Sequence, residues 1–201
     1  TGGIFVGVHI PALVGILNYT GLIMKSTRAR RLNEEIEMRW NHSRVTKEIK
    51  GSEILQKIGL TVLEIHEVGF SLVPTKKHKY LGYYIMENLT PSGFQELSKL
   101  IKEGAIDESM RGKILTLVCN GLREMRDSYI VFSDFHLDNV FSDEHGNIAW
   151  IDPGVTTYSK FNKKKFIKKF NHSINRFMFY CNDRGNTLTG AETTLFKSLL
   201  I

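Results

Sequence analysis

The stretch from Phe132 to Gly154, FSDFHLDNVFSDEHGNIAWIDPG, constrains the fold of this chain more than any other. Two short apolar runs, Asn139-Val140-Phe141 and Ile148-Ala149-Trp150-Ile151, flank the turn-rich segment SDEHGN, which is the pattern of a β-hairpin. If the runs pair antiparallel, Asn139 opens the first strand and Asp152 follows the second. Both then lie at the same end of the hairpin, with Asp134 on the loop leading into it. Three oxygen-bearing side chains converge through local pairing alone. An ordinary hairpin carrying surface acids is the competing reading.

Such a constellation suits phosphoryl transfer, which needs a carboxylate to orient the incoming hydroxyl and a divalent cation held by hard oxygen ligands. In this reading Asp134 orients or deprotonates the acceptor, while Asn139 and Asp152 hold Mg²⁺. The spacing resembles the catalytic core of protein-kinase-like enzymes, H-R-D-x-x-x-x-N followed by D-F-G. Phe132 and Ser133 stand where His and Arg would be, His136 stands two after the Asp in place of Lys, and Pro153 replaces the Phe of D-F-G. The form D-x-H-x-x-N with I-D-x-G is more similar to aminoglycoside-type kinases, lipopolysaccharide-core kinases and small bacterial effector kinases.

The resemblance implies an α+β chain with a small two-lobed protein-kinase-like fold, a trimmed C-lobe and almost no activation segment. Residues 1–201 form one domain: an N-lobe of strands and one helix over 1–89, and a mainly helical C-lobe with the catalytic hairpin over 90–201. The implied cofactors are ATP and Mg²⁺ (or Mn²⁺). Gly2 and Gly3, before the strand-like run Ile4–Ile10, resemble the tail of a phosphate-covering loop; a plain hairpin explains them as well. Leu22-Ile23-Met24-Lys25 resembles the strand that presents a lysine to the phosphates, and a solvent-facing lysine is the alternative. That lysine needs a helix carboxylate, and Glu34, Glu35, Glu37, Glu48 and Glu53 are the candidates. Glu48, on the turn before the apolar face Ile54, Leu55 and Ile58, fits the family best, with Glu53 in reserve. Val62–Phe70 and Tyr80–Met86 read as strands joined by the polar loop 74–79. Tyr83–Leu89 resembles the last small-lobe strand entering the hinge, where the backbone of Glu87 and Leu89 would hold adenine and Met86 would flank it. An internal strand and turn accounts for that segment equally. Pro91-Ser92-Gly93 marks the lobe boundary.

Phe94–Gly104 and Asp107–Arg126 read as helices, and the stripe Ile114, Leu115, Val118, Leu122 and Met125 marks the core face of the second. Only Val155–Ser159 separate Asp152-Pro153-Gly154 from KFNKKKFIKKFNHSINRFMFY, a basic amphipathic helix. Phe166, Phe170, Ile174 and Phe177 line its apolar face. A solvated basic face over a buried aromatic stripe competes with docking of 160–177 to an acidic protein or membrane surface. Asn182–Thr189 reads as a loop and Glu192–Ile201 as a short closing helix.

A formal net charge of +6 favours anionic partners; nucleic acid is not expected. Cys119 and Cys181 form no disulfide framework and read as reduced, buried thiols. No secretory signal peptide is read, and the apolar run Ile4–Leu17 is too short to span a bilayer. Together these features predict an ATP- and Mg-dependent phosphotransferase. The favoured form is a Ser/Thr protein kinase of bacterial effector type, acting on a host protein. The family suggested is the HopBF effector kinases, which would imply a host heat-shock chaperone as partner, with the bacterial cytoplasm and then the host cytoplasm as location. The alternatives are a lipopolysaccharide-core heptose kinase at the inner face of the bacterial inner membrane, and a pseudokinase or nucleotide-binding scaffold.

Overall fold

The computed structural model describes residues 4–6, 12–17, 21–28, 44–70 and 80–201. Gly2, Gly3, Glu34, Glu35, Glu37 and the loop 74–79 lie outside the described residues. The chain divides into two compact units, residues 1–50 with 63–92, and residues 51–62 with 93–201. Residues 51–62, expected with the first lobe, group with the second.

In the first unit five antiparallel strands form one sheet in the order β1-β2-β3-β5-β4. They are β1 (Ile4–Val6), β2 (Ala12–Leu17), β3 (Leu22–Arg28), β4 (Ile65–Phe70) and β5 (Tyr80–Glu87). β4 begins later than the run from Val62 suggested. Burial alternates along β5, with Gly82, Tyr84 and Met86 buried and Tyr83 and Ile85 half-buried, as a pleated strand with one covered face requires. Tyr83 turns the other way and donates its hydroxyl to Glu67 Oε1 at 2.6 Å. Lys25 lies opposite Tyr84 in the β3–β5 register, so a lysine sits among the buried side chains.

Helix α1 runs Arg44–Lys57. Glu48 therefore lies inside a helix, N-terminal to the apolar face Ile54, Leu55 and Ile58, where the sequence pattern put it. Gly59 (φ +82°) ends the helix. Leu60 N–H bonds to Leu55 O and Gly59 N–H to Gln56 O, the paired 6→1 and 5→2 bonds of a Schellman motif, in which glycine tolerates the left-handed backbone.

The second unit is mainly helical. Helix α2 spans Leu97–Lys102, shorter than the Phe94–Gly104 helix expected, because Gln95–Glu96 form strand β6 instead. Helix α3 (Glu108–Asp127) starts at Asp107, whose carboxylate accepts from Met110 N–H at 2.7 Å. Its stripe Ile114, Leu115, Val118, Leu122 and Met125 is buried. Helix α4 (Lys163–Asp183) buries Phe166, Phe170, Ile174 and Phe177, while Lys163, Lys164, Lys165, Lys168 and Lys169 are exposed. It extends two residues, Asn182 and Asp183, into the expected loop. The closing helix α5 covers Gly190–Lys197 rather than 192–201, because Thr189 and Glu192 form a capping box there. The Glu192 carboxylate also takes two bonds from Arg111 of α3, at 2.7 and 2.8 Å. Cys119 and Cys181 are free, buried thiols, and burial pushes Cys181 up to about 12. No helix among the described residues is long and apolar enough to cross a membrane.

Candidate active site

Two short pairings build the site in the second unit. Strand β7 (Ile130–Phe132) is fully buried and pairs antiparallel with β10 (Val155–Thr157), Phe132 opposite Val155. Ser133 N–H continues the ladder to Gly154 O at 3.3 Å. This brings the residue after Ser133, Asp134, beside the Asp152-Pro153-Gly154 turn. The second pairing is the hairpin of β8 (Val140–Ser142) and β9 (Ile148–Trp150), with Val140 opposite Trp150. Its turn is fastened by Asp143, whose carboxylate accepts from the N–H groups of His145 and Asn147 and from Asn147 Nδ2.

Asn139 closes a single 3₁₀ turn, Leu137–Asn139, instead of opening the strand. Its carbonyl accepts Ile151 N–H at 2.9 Å, and its Nδ2 donates to the Asp134 carbonyl at 3.1 Å. The amide hydrogens thus face the loop, and the opposite end of the amide presents Oδ1. Asp152 has φ +48°, a left-handed backbone that aspartate tolerates better than most residues. Gly154 N–H closes back onto Asp152 O at 2.7 Å. Asp134 itself is exposed, 68% by side chain, while its neighbour Phe135 is buried against Phe177 (4.6 Å between ring centroids) and Trp150 (5.5 Å). The buried ring anchors the loop, and the carboxylate projects from it.

Asn139 and Asp152 supply two hard oxygen groups at one end of the hairpin, which fits Mg²⁺, a cation commonly held by one or two carboxylate or amide oxygens with phosphates completing its shell. Among the described residues no group of three or more His, Cys, Asp or Glu gathers as a metal cage, so a site needing three such side chains does not fit.

In the first unit, Lys25 Nζ lies 3.4 Å from Glu48 Oε2. Tyr84 donates its hydroxyl to the same oxygen at 2.6 Å. Glu53 is exposed further along α1. Met86 and Leu89 are buried. The Glu87 N–H is committed to Glu64 O at 3.0 Å, so of the expected Glu87 backbone contacts its amide is already used within the sheet.

Sequence reasoning missed a row of polar contacts between α4 and the loop. Arg176 Nη2 lies 3.1 Å from Asp134 Oδ1. Arg184 Nη1 lies 2.5 Å from Asp138 Oδ2, and His136 Nδ1 lies 3.3 Å from the same oxygen. Hydrogen bonding from His136 first, then from Ser98, with the His136 and Arg184 charges adding to it against burial, holds the Asp138 carboxyl down to about 2. The signal was the spacing Arg176, Tyr180, Arg184, one helical face at successive i,i+4 steps; the lysines around it drew the reading to charge instead.

No protein-family profile matches the chain, and no curated protein sequence matches it. A solved structure of WaaP in complex with acyl carrier protein is similar, with TM-score 0.65 over 98% of this chain and 78% of that chain, at 12% identity. The fold is thus α+β and protein-kinase-like, of the small two-lobed kind.

Proposed function

We propose that the chain is an ATP-dependent phosphotransferase in which Asp134 is the acceptor-orienting base. The observation that supports this best is the bonded link Asp134–Asn139–Ile151, which ties the candidate base to the residue preceding Asp152. Asp134 accepts a hydrogen bond from an acceptor hydroxyl and takes its proton. The hydroxyl oxygen bonds to the γ-phosphorus as the bond to the β-phosphate oxygen breaks, and ADP leaves. Asn139 Oδ1 and the Asp152 carboxylate would hold Mg²⁺, which neutralises charge on the phosphates when bound. Lys25, held by Glu48, is the phosphate-contacting cation in this reading, and Met86, Leu89 and the Glu87 carbonyl are the adenine contacts.

For the acceptor, a Ser/Thr hydroxyl on a protein is the first reading, carried by the resemblance to small effector kinases. A second reading, a lipopolysaccharide-core sugar hydroxyl, is favoured by the D-x-H-x-x-N spacing and by the fold similarity to WaaP. The test is transfer of labelled γ-phosphate by the parent and by Asp152→Ala, with a protein extract and purified lipopolysaccharide as separate acceptors. The parent is expected to label one of them, and the folded variant to lose transfer by at least about a hundredfold. Transfer by a folded Asp152→Ala variant within about tenfold of the parent would sink the assignment. The labelled acceptor decides between the two readings.

A further inference from the structure

We propose that Arg176 of helix α4 is the positioning residue for Asp134, supplying from a helix the cation that the catalytic loop itself lacks; this rests on the phosphotransferase reading above. The position two residues after Asp134, where a loop lysine would stand, holds His136, and its imidazole is 3.3 Å from Asp138. The charge next to Asp134 comes from Arg176 instead, 3.1 Å from Oδ1.

The arginine is itself held in place. Tyr180, one turn further along α4, has its hydroxyl oxygen 3.1 Å from Arg176 Nη2 and 3.3 Å from Nε, accepting from both. The Arg184 guanidinium carbon also stands 5.1 Å from the Tyr180 ring centroid, and Arg184 in turn binds Asp138. The same helix face is locked to the loop by buried contacts on either side of Arg176. Ser173 donates its hydroxyl to Phe132 O, and Phe177 stacks on Phe135. Residues 173, 176, 177 and 184 therefore meet loop residues 132, 134, 135 and 138 in matching order, which leaves Arg176 little freedom to be elsewhere.

The Arg176–Asp134 pair is 40% and 68% exposed, and ion pairs so exposed contribute little to folding. Its consequence is geometric. With Oδ1 engaged by the guanidinium, the exposed carboxylate is turned so that Oδ2 can receive a hydroxyl. Such positioning acts on the rate of the chemical step, not on nucleotide affinity.

The experiment compares Arg176→Ala, Arg176→Lys and Asp134→Ala, measuring γ-phosphoryl transfer from ATP to water and, separately, ATP affinity by calorimetry. Arg176→Ala is expected to lower kcat by about tenfold or more with the KM for ATP and the melting temperature unchanged, and Arg176→Lys to recover part of the loss. If Asp134→Ala is inactive while Arg176→Ala turns over at the parent rate, the positioning role is overturned and the phosphotransferase reading stands. If Asp134→Ala is as active as the parent, the reading itself fails and the role falls with it. A fall in ATP affinity equal to the fall in kcat/KM would also overturn it, since that would make Arg176 a nucleotide contact.

Discussion

Gly51 of helix α1 lies directly against the carbonyl of Pro153: a Cβ placed on Gly51 would stand 1.8 Å from that oxygen. The obstacle is backbone, which has no rotamer to yield, so a methyl group there must displace either the helix or the Asp152-Pro153-Gly154 turn. Gly51→Ala is expected to cost about 1–3 kcal/mol and to impair phosphoryl transfer together with stability. Gly112→Ala is the control, in the exposed interior of α3 with nothing within 4 Å of its added Cβ. It should stabilise by about 0.5–1 kcal/mol. Urea unfolding of both variants checks the pair; equal stability for Gly51→Ala and the parent would deny the close approach.

The buried trio Lys25, Glu48 and Tyr84 predicts coupling. Tyr84→Phe removes one hydrogen bond to a carboxylate and should cost about 1.5–3 kcal/mol. Lys25→Met removes the nearby cation from a buried carboxylate and should cost about 3–5 kcal/mol. A double-mutant cycle with Glu48→Gln is the measurement. The double variant should be less destabilised than the sum of the singles, by more than about 0.5 kcal/mol; strict additivity would mean that the two side chains do not interact.

Asp138 predicts a pH dependence of stability. Its carboxyl is held at about 2 in the fold, against an ordinary value of 3.8. A depressed carboxylate contributes stability that is complete above the unfolded value and lost as pH falls through the folded one. With the side chain one-third exposed, that contribution is on the order of 1 kcal/mol after solvent screening. Asp138→Asn should therefore be less stable than the parent at neutral pH, and the gap should close between about pH 4 and about pH 2. Denaturation midpoints across that range provide the check; a gap that widens on acidification would reverse the sign.

Regulation by a phosphorylated activation segment is not expected. Residues Val155–Thr157 are already strand β10, paired in register with β7, and Ser159 leads at once into a 3₁₀ turn and α4. A segment committed to a ladder has no length left to swing between ordered and disordered states. Phosphatase-treated protein should transfer phosphate at a linear initial rate. A lag removed by pre-incubation with ATP, and equally by acidic replacements at Thr156, Thr157, Tyr158 and Ser159, would contradict this.

The hairpin and its polar residues were legible because they are local: Asp143, Gly146 and Asn147 specify the turn, and the strand register then fixes Asn139 against Ile151 whatever the rest of the chain does. The helices α3 and α4 were legible through their apolar period. The helical texture around Glu48 was legible from its charged, proline-free sequence, but the need for the one glycine in α1 was not. The reason for that glycine, the Pro153 carbonyl, lies about a hundred residues away in sequence. The Arg176–Asp134 pair was invisible for the same reason. It depends on where α4 packs, which its buried face, Ser173 and Phe177 included, determines in three dimensions.

The division of the chain between Lys50 and Gly51 has a practical consequence for anyone cutting this protein. The backbone passes from one unit to the other three times, at 50/51, 62/63 and 92/93, and the first of these passages falls in the middle of helix α1. No single truncation releases either unit intact. A fragment ending at residue 92 carries the second half of α1 without Trp150, whose N–H bonds to Thr61 O, while a fragment beginning at residue 93 lacks Leu55 from its core. Separating the two halves calls for rejoining the interleaved segments in a new order through added linkers, and a protease that nicks the chain near residue 92 should yield fragments that hold together until denaturant is added.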